Sequence, residues 1–250
     1  MRQRDFLTDN GTLQIEAFPL VGDLYPYPCL TRGAATWGRV DMAVPLTRFL
    51  LRFQDECGGF YYRVDDPSLI DPAVTAHGGI SLILAGHLRE AERAGQYFTR
   101  LHDLQPDPDG RYLTVWDTKS GRLLSDYGAA EDVPWGLGSQ LVRDNPQGGN
   151  AYWDIGYMMA FLTALFQTAG DRDYLRVVEE MFDVVSRYKG FHHHVWKTQW
   201  GCAALYQATG KVKYLQAATA MDDEIVKTQQ EDGGFFLGDQ SCYVDDAEQQ

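Results

Sequence analysis

The 250-residue chain is 44% hydrophobic and 23% charged, the balance of a globular protein with a sizeable core. Its formal net charge of -13 argues against a nucleic-acid partner, which needs a basic face, and against adsorption to anionic lipid. No window approaches the roughly 18 apolar residues of a membrane span, and the N-terminus MRQRDFLTDNG lacks the apolar core of a signal peptide, so a cytoplasmic location is expected.

In chain order, residues 1–32 read as irregular, with a short strand at Leu13 to Ile15 and two prolines in LYPYPCL that argue against a helix. A helix follows from about Arg32 to Gln54 with Pro45 inside it. Either it kinks there or a new helix starts with Pro45 in its first turn, and the run Leu46, Phe49, Leu50, Phe53 favours the second. Thr75 to Ala85, Tyr152 to Ala169 and Trp196 to Thr209 are apolar or small nearly all round, as helices buried on every side are. Between them come amphipathic helices such as His87 to Gln105, with Arg89, Glu90, Glu92 and Arg93 on a polar face. Residues 106–149 interrupt the alternation with a β-hairpin, RYLTVWDTKSGRLL, turning at Asp117 to Gly121, and a long loop whose Trp135, with Trp116 of the hairpin, suits a lid or rim.

The clearest repeat is LFQTAGDRDYL (Leu165 to Leu175) with LYQATGKVKYL (Leu205 to Leu215), offset by 40 residues. In each, an apolar helix stops at a glycine, Gly170 or Gly210, and an amphipathic helix begins. A second recurrence is QDECGGFYY, QPDPDGRYL and QQEDGGFF, where a helix ends on Gln before an Asp/Gly turn leading to an aromatic that packs back under it. Alternation of this kind, with a period of about 40 to 50 residues, marks stacked helical hairpins.

The QDECGGFYYRVDDPSLIDPAVTAHGGISLILAG and IVKTQQEDGGFF units resemble the repeats of the terpenoid cyclase and protein prenyltransferase superfamily. WGCAALYQATGKVKYLQAA is equally similar to the hairpins of six-hairpin glycosidases, sugar epimerases and polysaccharide lyases. Both imply an all-α, alpha/alpha toroid of alternating inner and outer helices, here a single domain over residues 1–250 with the insertion at 106–149. About seven helices are expected against the twelve of a complete toroid, so either the ring is partial or the chain is a piece of a longer one. The cyclase D-x-D-D motif and the prenyltransferase zinc ligands have no counterpart, and the fold hosts many chemistries.

Counting back from the glycine that ends each inner helix places side chains by height. Asp154 lies 16 residues before Gly170, His194 lies 16 before Gly210, and Asp71 lies 15 before Gly86, so all three stand roughly 22 to 24 Å from that end, at one rim. Tyr157 and Lys197 are one level deeper, and Trp200 and His77 deeper again.

Asp154 is the leading candidate for general acid or base, with capping of its helix as the alternative. Of His192, His193 and His194, one faces the cavity as an acid/base or hydrogen-bond donor, and His194 is the candidate by its height; a zinc site shared with Cys202 is the lesser reading, and no metal or cofactor is expected. His77, beside Gly78 and Gly79, reads as a core histidine, with catalysis from the cavity wall as the alternative. Asp65 and Asp66 read as turn residues. Tyr25, Tyr27 and Trp37 are placed to close the mouth, and Trp153, Trp196, Trp200, Tyr157, Lys197 and Trp135 to hold substrate.

Three functions compete. A carbohydrate-active hydrolase, lyase or epimerase, working on a small sugar or oligosaccharide, fits a rim of Asp71, Asp154, His194 and Lys197 among aromatics. A terpenoid-cyclase-like enzyme needs a wall almost purely apolar apart from one acid. A non-catalytic binding protein needs no such set.

Overall fold

A computed structural model describes residues 22–125, 142–143, 152–189, 191 and 196–229. Among them are eight α-helices that alternate between two layers. The first layer holds α1 (Pro26–Thr36), α3 (Pro72–Leu84), α5 (Tyr152–Ala169) and α7 (Trp196–Thr209); the second holds α2 (Val40–Leu50), α4 (Leu88–Asp103), α6 (Arg172–Val185) and α8 (Val212–Thr228). Inner helices pack side by side in the order α1, α3, α5, α7, and α2, α4, α6 and α8 each lie against the inner helix that precedes them. This is an arc of an alpha/alpha toroid.

The layers follow from the side chains. On α3, every residue from Pro72 to Gly79 is buried, so the helix has no solvent face. On α6 only one stripe is buried, Tyr174, Val177, Val178, Met181, Phe182 and Val185, and the rest is polar. Gly86, Gly170 and Gly210 end α3, α5 and α7 with φ of +80°, +76° and +69°, a backbone state that costs glycine little.

Two glutamines clamp the turns that follow their helices. The Gln54 Nε2 donates to the carbonyls of Gly58 and Glu90 at 2.9 Å. Gln105 donates to Leu101 and Leu113 and accepts from the Leu113 N–H at 2.8 Å. Phe60 and Tyr112, the aromatics after these turns, are fully buried. The expected hairpin is present: β3 (Trp116–Asp117) pairs antiparallel with β4 (Arg122–Leu123), and β1 (Leu69–Ile70) adds to β3. A second two-stranded ribbon joins β2 (Arg111–Tyr112) to β5 (Val142–Arg143).

Two expectations change. LYPYPCL is helical from Pro26 onward, because Pro26 and Pro28 fall in the first turn of α1, where the missing N–H groups have no acceptor to lose. Pro45 lies in the second turn of α2, so the helix begins earlier, at Val40, and continues through the proline. Trp37 is 85% exposed at the C-terminal end of α1. The strand at Leu13 to Ile15 lies outside the described residues. No helix among the described residues is long and apolar enough to cross a membrane.

Candidate active site

Asp71 caps α3. Its carboxylate accepts the Val74 N–H at 2.7 Å while its own backbone is extended, the arrangement that satisfies an orphan donor at a helix start. Asp154 does no such work. It is the third residue of α5, is fully buried, and neither of its oxygens has a hydrogen bond of normal geometry. The capping alternative therefore fails for Asp154.

Burial drives the Asp154 pKa well above the usual carboxylate range, and the negative charge of nearby Asp71 pushes it further. The Thr114 hydroxyl is close enough to pull it slightly back without closing a well-formed bond. Two acids from the starts of adjacent inner helices thus sit in different surroundings: Asp71 is hydrogen-bonded at a helix N-terminus, and Asp154 is buried and kept as a neutral acid.

One to two turns further along the same helices stands an aromatic and imidazole cluster. His77 on α3 is 3% exposed; its ring lies 4.4 Å from that of Tyr157 on α5 and 5.2 Å, edge-on, from that of Tyr25. The Tyr25 and Tyr157 hydroxyls are hydrogen-bonded at 3.0 Å, and Tyr25 Oη lies 3.4 Å from His77 Nε2. His77 Nδ1 is buried with no partner. Burial, then the charges of Arg32 and Lys197, lowers its pKa to about 3, so the imidazole is neutral. It is a core histidine by position, but an unsatisfied one.

The Tyr157 ring meets Trp200 of α7 edge-on at 6.3 Å, and the Arg32 guanidinium of α1 lies 5.7 Å from the centre of the Trp200 ring. Trp200 is 37% exposed, so the cluster runs from the buried imidazole out to solvent.

A glycine contact holds α5 and α7 in this register. A Cβ on Gly156 would lie 2.1 Å from the backbone carbonyl of Lys197, and one on Gly201 would lie 2.8 Å from the Gly156 oxygen, so the two backbones touch. Sequence reasoning passed over both glycines, and Thr114 and Arg32 as well. The only signal was small residues on otherwise apolar inner helices.

The structure therefore brings together Asp71, Asp154, His77, Tyr157, Lys197 and Trp200 on α3, α5 and α7. The first two are buried below the surface instead of lining an exposed rim. His194 and Trp135 lie outside the described residues, as do the side chains of Trp153 and Trp196. Tyr27 packs on Phe49 at 4.9 Å in the core. Asp66 serves its turn by accepting the Ser68 N–H, whereas Asp65 accepts the N–H of distant Gly22 and pairs with Arg63. No group of three potential metal ligands occurs among the described residues, and burial holds the Cys202 thiol up at about 12. A shallow polar groove between α4 and α6, lined by Thr99, Arg100, Asp103 and Asp171, lies in the outer layer away from these groups.

No family model matches the chain, and no curated protein matches it at a significant level. Solved structures do. A D-mannose isomerase superposes over 94% of this chain and 70% of its own, with a TM-score of 0.66 and 12% identity. A glycoside hydrolase family 76 α-mannanase from Bacteroides thetaiotaomicron matches over 89% of this chain at TM-score 0.61 and 13% identity. The chain spans 62% of that mannanase. An inactive variant of an α-1,6-mannanase from Salegentibacter, in complex with α-1,6-mannotriose, matches over 85% of this chain and 67% of its own, at TM-score 0.57 and 11% identity. The fold is that of the six-hairpin glycosidase-like alpha/alpha toroids. At these identities the likeness defines the fold.

Proposed function

We propose that the protein is a carbohydrate-active enzyme of the alpha/alpha toroid type, with Asp154 as proton donor to a sugar. One observation carries this: Asp154 is a buried carboxyl with no well-formed hydrogen bond and with Asp71 beside it. An acid so placed is costly to keep in a core and is suited to proton donation.

The chemistry follows from the charges. A neutral Asp154 can protonate the oxygen of a glycosidic bond as it breaks. Giving up the proton leaves two neighbouring carboxylates, which is unfavourable alone and is relieved by the positive charge developing on the sugar ring. Asp71, anchored by the α3 N-terminus, supplies the fixed negative charge. Tyr25, Tyr157 and Trp200 offer hydroxyls and ring faces of the kind that orient sugars. A wall that also holds His77, Arg32 and Lys197 is too polar for a terpenoid cyclase.

A second reading is an aldose isomerase. It is favoured by the neutral imidazole of His77, whose unpartnered Nδ1 could accept a carbon-bound proton while Asp154 protonates the neighbouring oxygen.

Reducing-end release from α-linked manno-oligosaccharides, run beside mannose to fructose conversion, separates the two. Asp154→Asn is expected to lower kcat by about 10² to 10⁴ in whichever reaction occurs, with the helical circular dichroism unchanged. Full turnover by that variant would remove Asp154 as the proton donor. His77→Gln is expected to abolish isomerisation and to spare hydrolysis.

A further inference from the structure

The cation at the mouth is not accounted for by proton transfer. Arg32 projects from α1, half-buried, and its contact is with the ring of Trp200 on α7, a helix with which α1 shares no extensive packing. No carboxylate among the described residues pairs with it, although twelve other ion pairs occupy the rest of the described surface. In a chain with a net charge of -13, Arg32 is half-buried against an aromatic ring with no acid beside it among the described residues. Lys197 adds a second positive charge to the field at His77. The buried imidazole contributes an Nδ1 with no partner, and the hydroxyls of Tyr25 and Tyr157 border it.

We propose that Arg32, held over Trp200 and next to His77 and Lys197, is the anion subsite of the sugar site, and that the substrate is an acidic sugar carrying a carboxylate, a uronic acid residue. The inference rests on the carbohydrate reading above and deepens it. A guanidinium pairs with a carboxylate through two parallel N–H donors, a planar match that a hydroxymethyl group does not offer. Trp200 holds the guanidinium plane through its ring face, so less side-chain freedom is lost when the anion arrives. A phosphorylated sugar would bring close to two charges on a tetrahedral group, and the hexose 6-phosphate probe below separates it from a single planar carboxylate. The same pair of cations also disfavours protonation of His77, so an anion bound there neutralises a repulsion already present.

The test is titration calorimetry of the wild type, Arg32→Gln and Arg32→Lys with three probes: a di- or trisaccharide of uronic acids, the neutral hexose oligosaccharide of matching length, and a hexose 6-phosphate. The wild type is expected to prefer the uronic acid probe, more so at low salt. Arg32→Gln should weaken that probe roughly tenfold to a hundredfold and leave the neutral one within about twofold. Arg32→Lys should recover only part of the loss. A wild type that binds the neutral sugar as well as the acidic one, or an Arg32→Gln effect equal on both, overturns the anion subsite and leaves the carbohydrate reading standing. Preference for the phosphate overturns the choice of carboxylate. Binding of none of the three overturns both. Circular dichroism and the melting temperature of each variant show whether a loss belongs to the subsite or to the fold.

Discussion

Asp154 and His77 are buried ionisable groups displaced in opposite directions, and stability against pH follows from the signs. His77, lowered to about 3, is neutral in the fold, whereas an unfolded histidine binds a proton below about 6.5. Its contribution is therefore present above about 6.5 and is lost as pH falls towards 3. Asp154 is raised, so the fold holds a proton that the unfolded chain releases above about 4; its contribution is present below that pH and is lost as pH rises. Each has a slope of roughly 1.4 kcal/mol per pH unit where it acts alone, and between about 4 and 6.5 the two oppose and flatten the profile. Urea melts should show the variants uncovering one limb each. Asp154→Asn should gain stability relative to wild type as pH rises through this window, and His77→Gln should gain it as pH falls. Parallel profiles for wild type and both variants would mean neither group is displaced. Much of this was legible beforehand: counting from the helix-ending glycines put Asp71 and Asp154 at one level. Depth was not, because a count along one helix gives height and says nothing of what covers the side chain.

At the scale of elements, the meeting of α5 with α7 sets the site. Gly156→Ala would drive a methyl into the Lys197 carbonyl, so the helices must separate. The expected cost is about 1 to 3 kcal/mol, or roughly 2 to 4 °C in melting temperature per kcal/mol, with loss of turnover beyond what the stability change explains. Gly170→Ala is the contrasting case, since its penalty comes from φ of +76° and nothing lies near its Cβ; it should cost stability and spare activity. Gln105→Leu, which strips three hydrogen bonds from the turn after α4, should lose roughly 1 to 3 kcal/mol by thermal melt. The sequence marked α5 and α7 to the residue because their apolar runs are long and bounded by glycine. It hid α1, because prolines that forbid a helix interior are harmless in a first turn. With α1 hidden, Arg32 had no place in the site.

For the whole molecule, alternation of buried and one-faced helices was enough to read an arc of a toroid, since a helix with no polar face must lie inside. A contiguous core runs from Leu24 to Met221 across all eight helices. One cooperative calorimetric transition is the expected result, and two separable transitions would mean the hairpins form independent units. The ligand of the arc was not legible, because it depends on side chains from α1, α3, α5 and α7 that meet only after folding. The central claim, a neutral Asp154 carboxyl in the wall of a sugar site, is tested most directly by infrared difference spectroscopy of wild type against Asp154→Asn at pH of about 6, where an ordinary aspartate is ionised. The account predicts a protonated-carboxyl carbonyl band in the wild type that the variant lacks and that shifts when the sugar binds. A difference spectrum showing only ionised carboxylate, or a carboxyl band indifferent to every sugar, would contradict it.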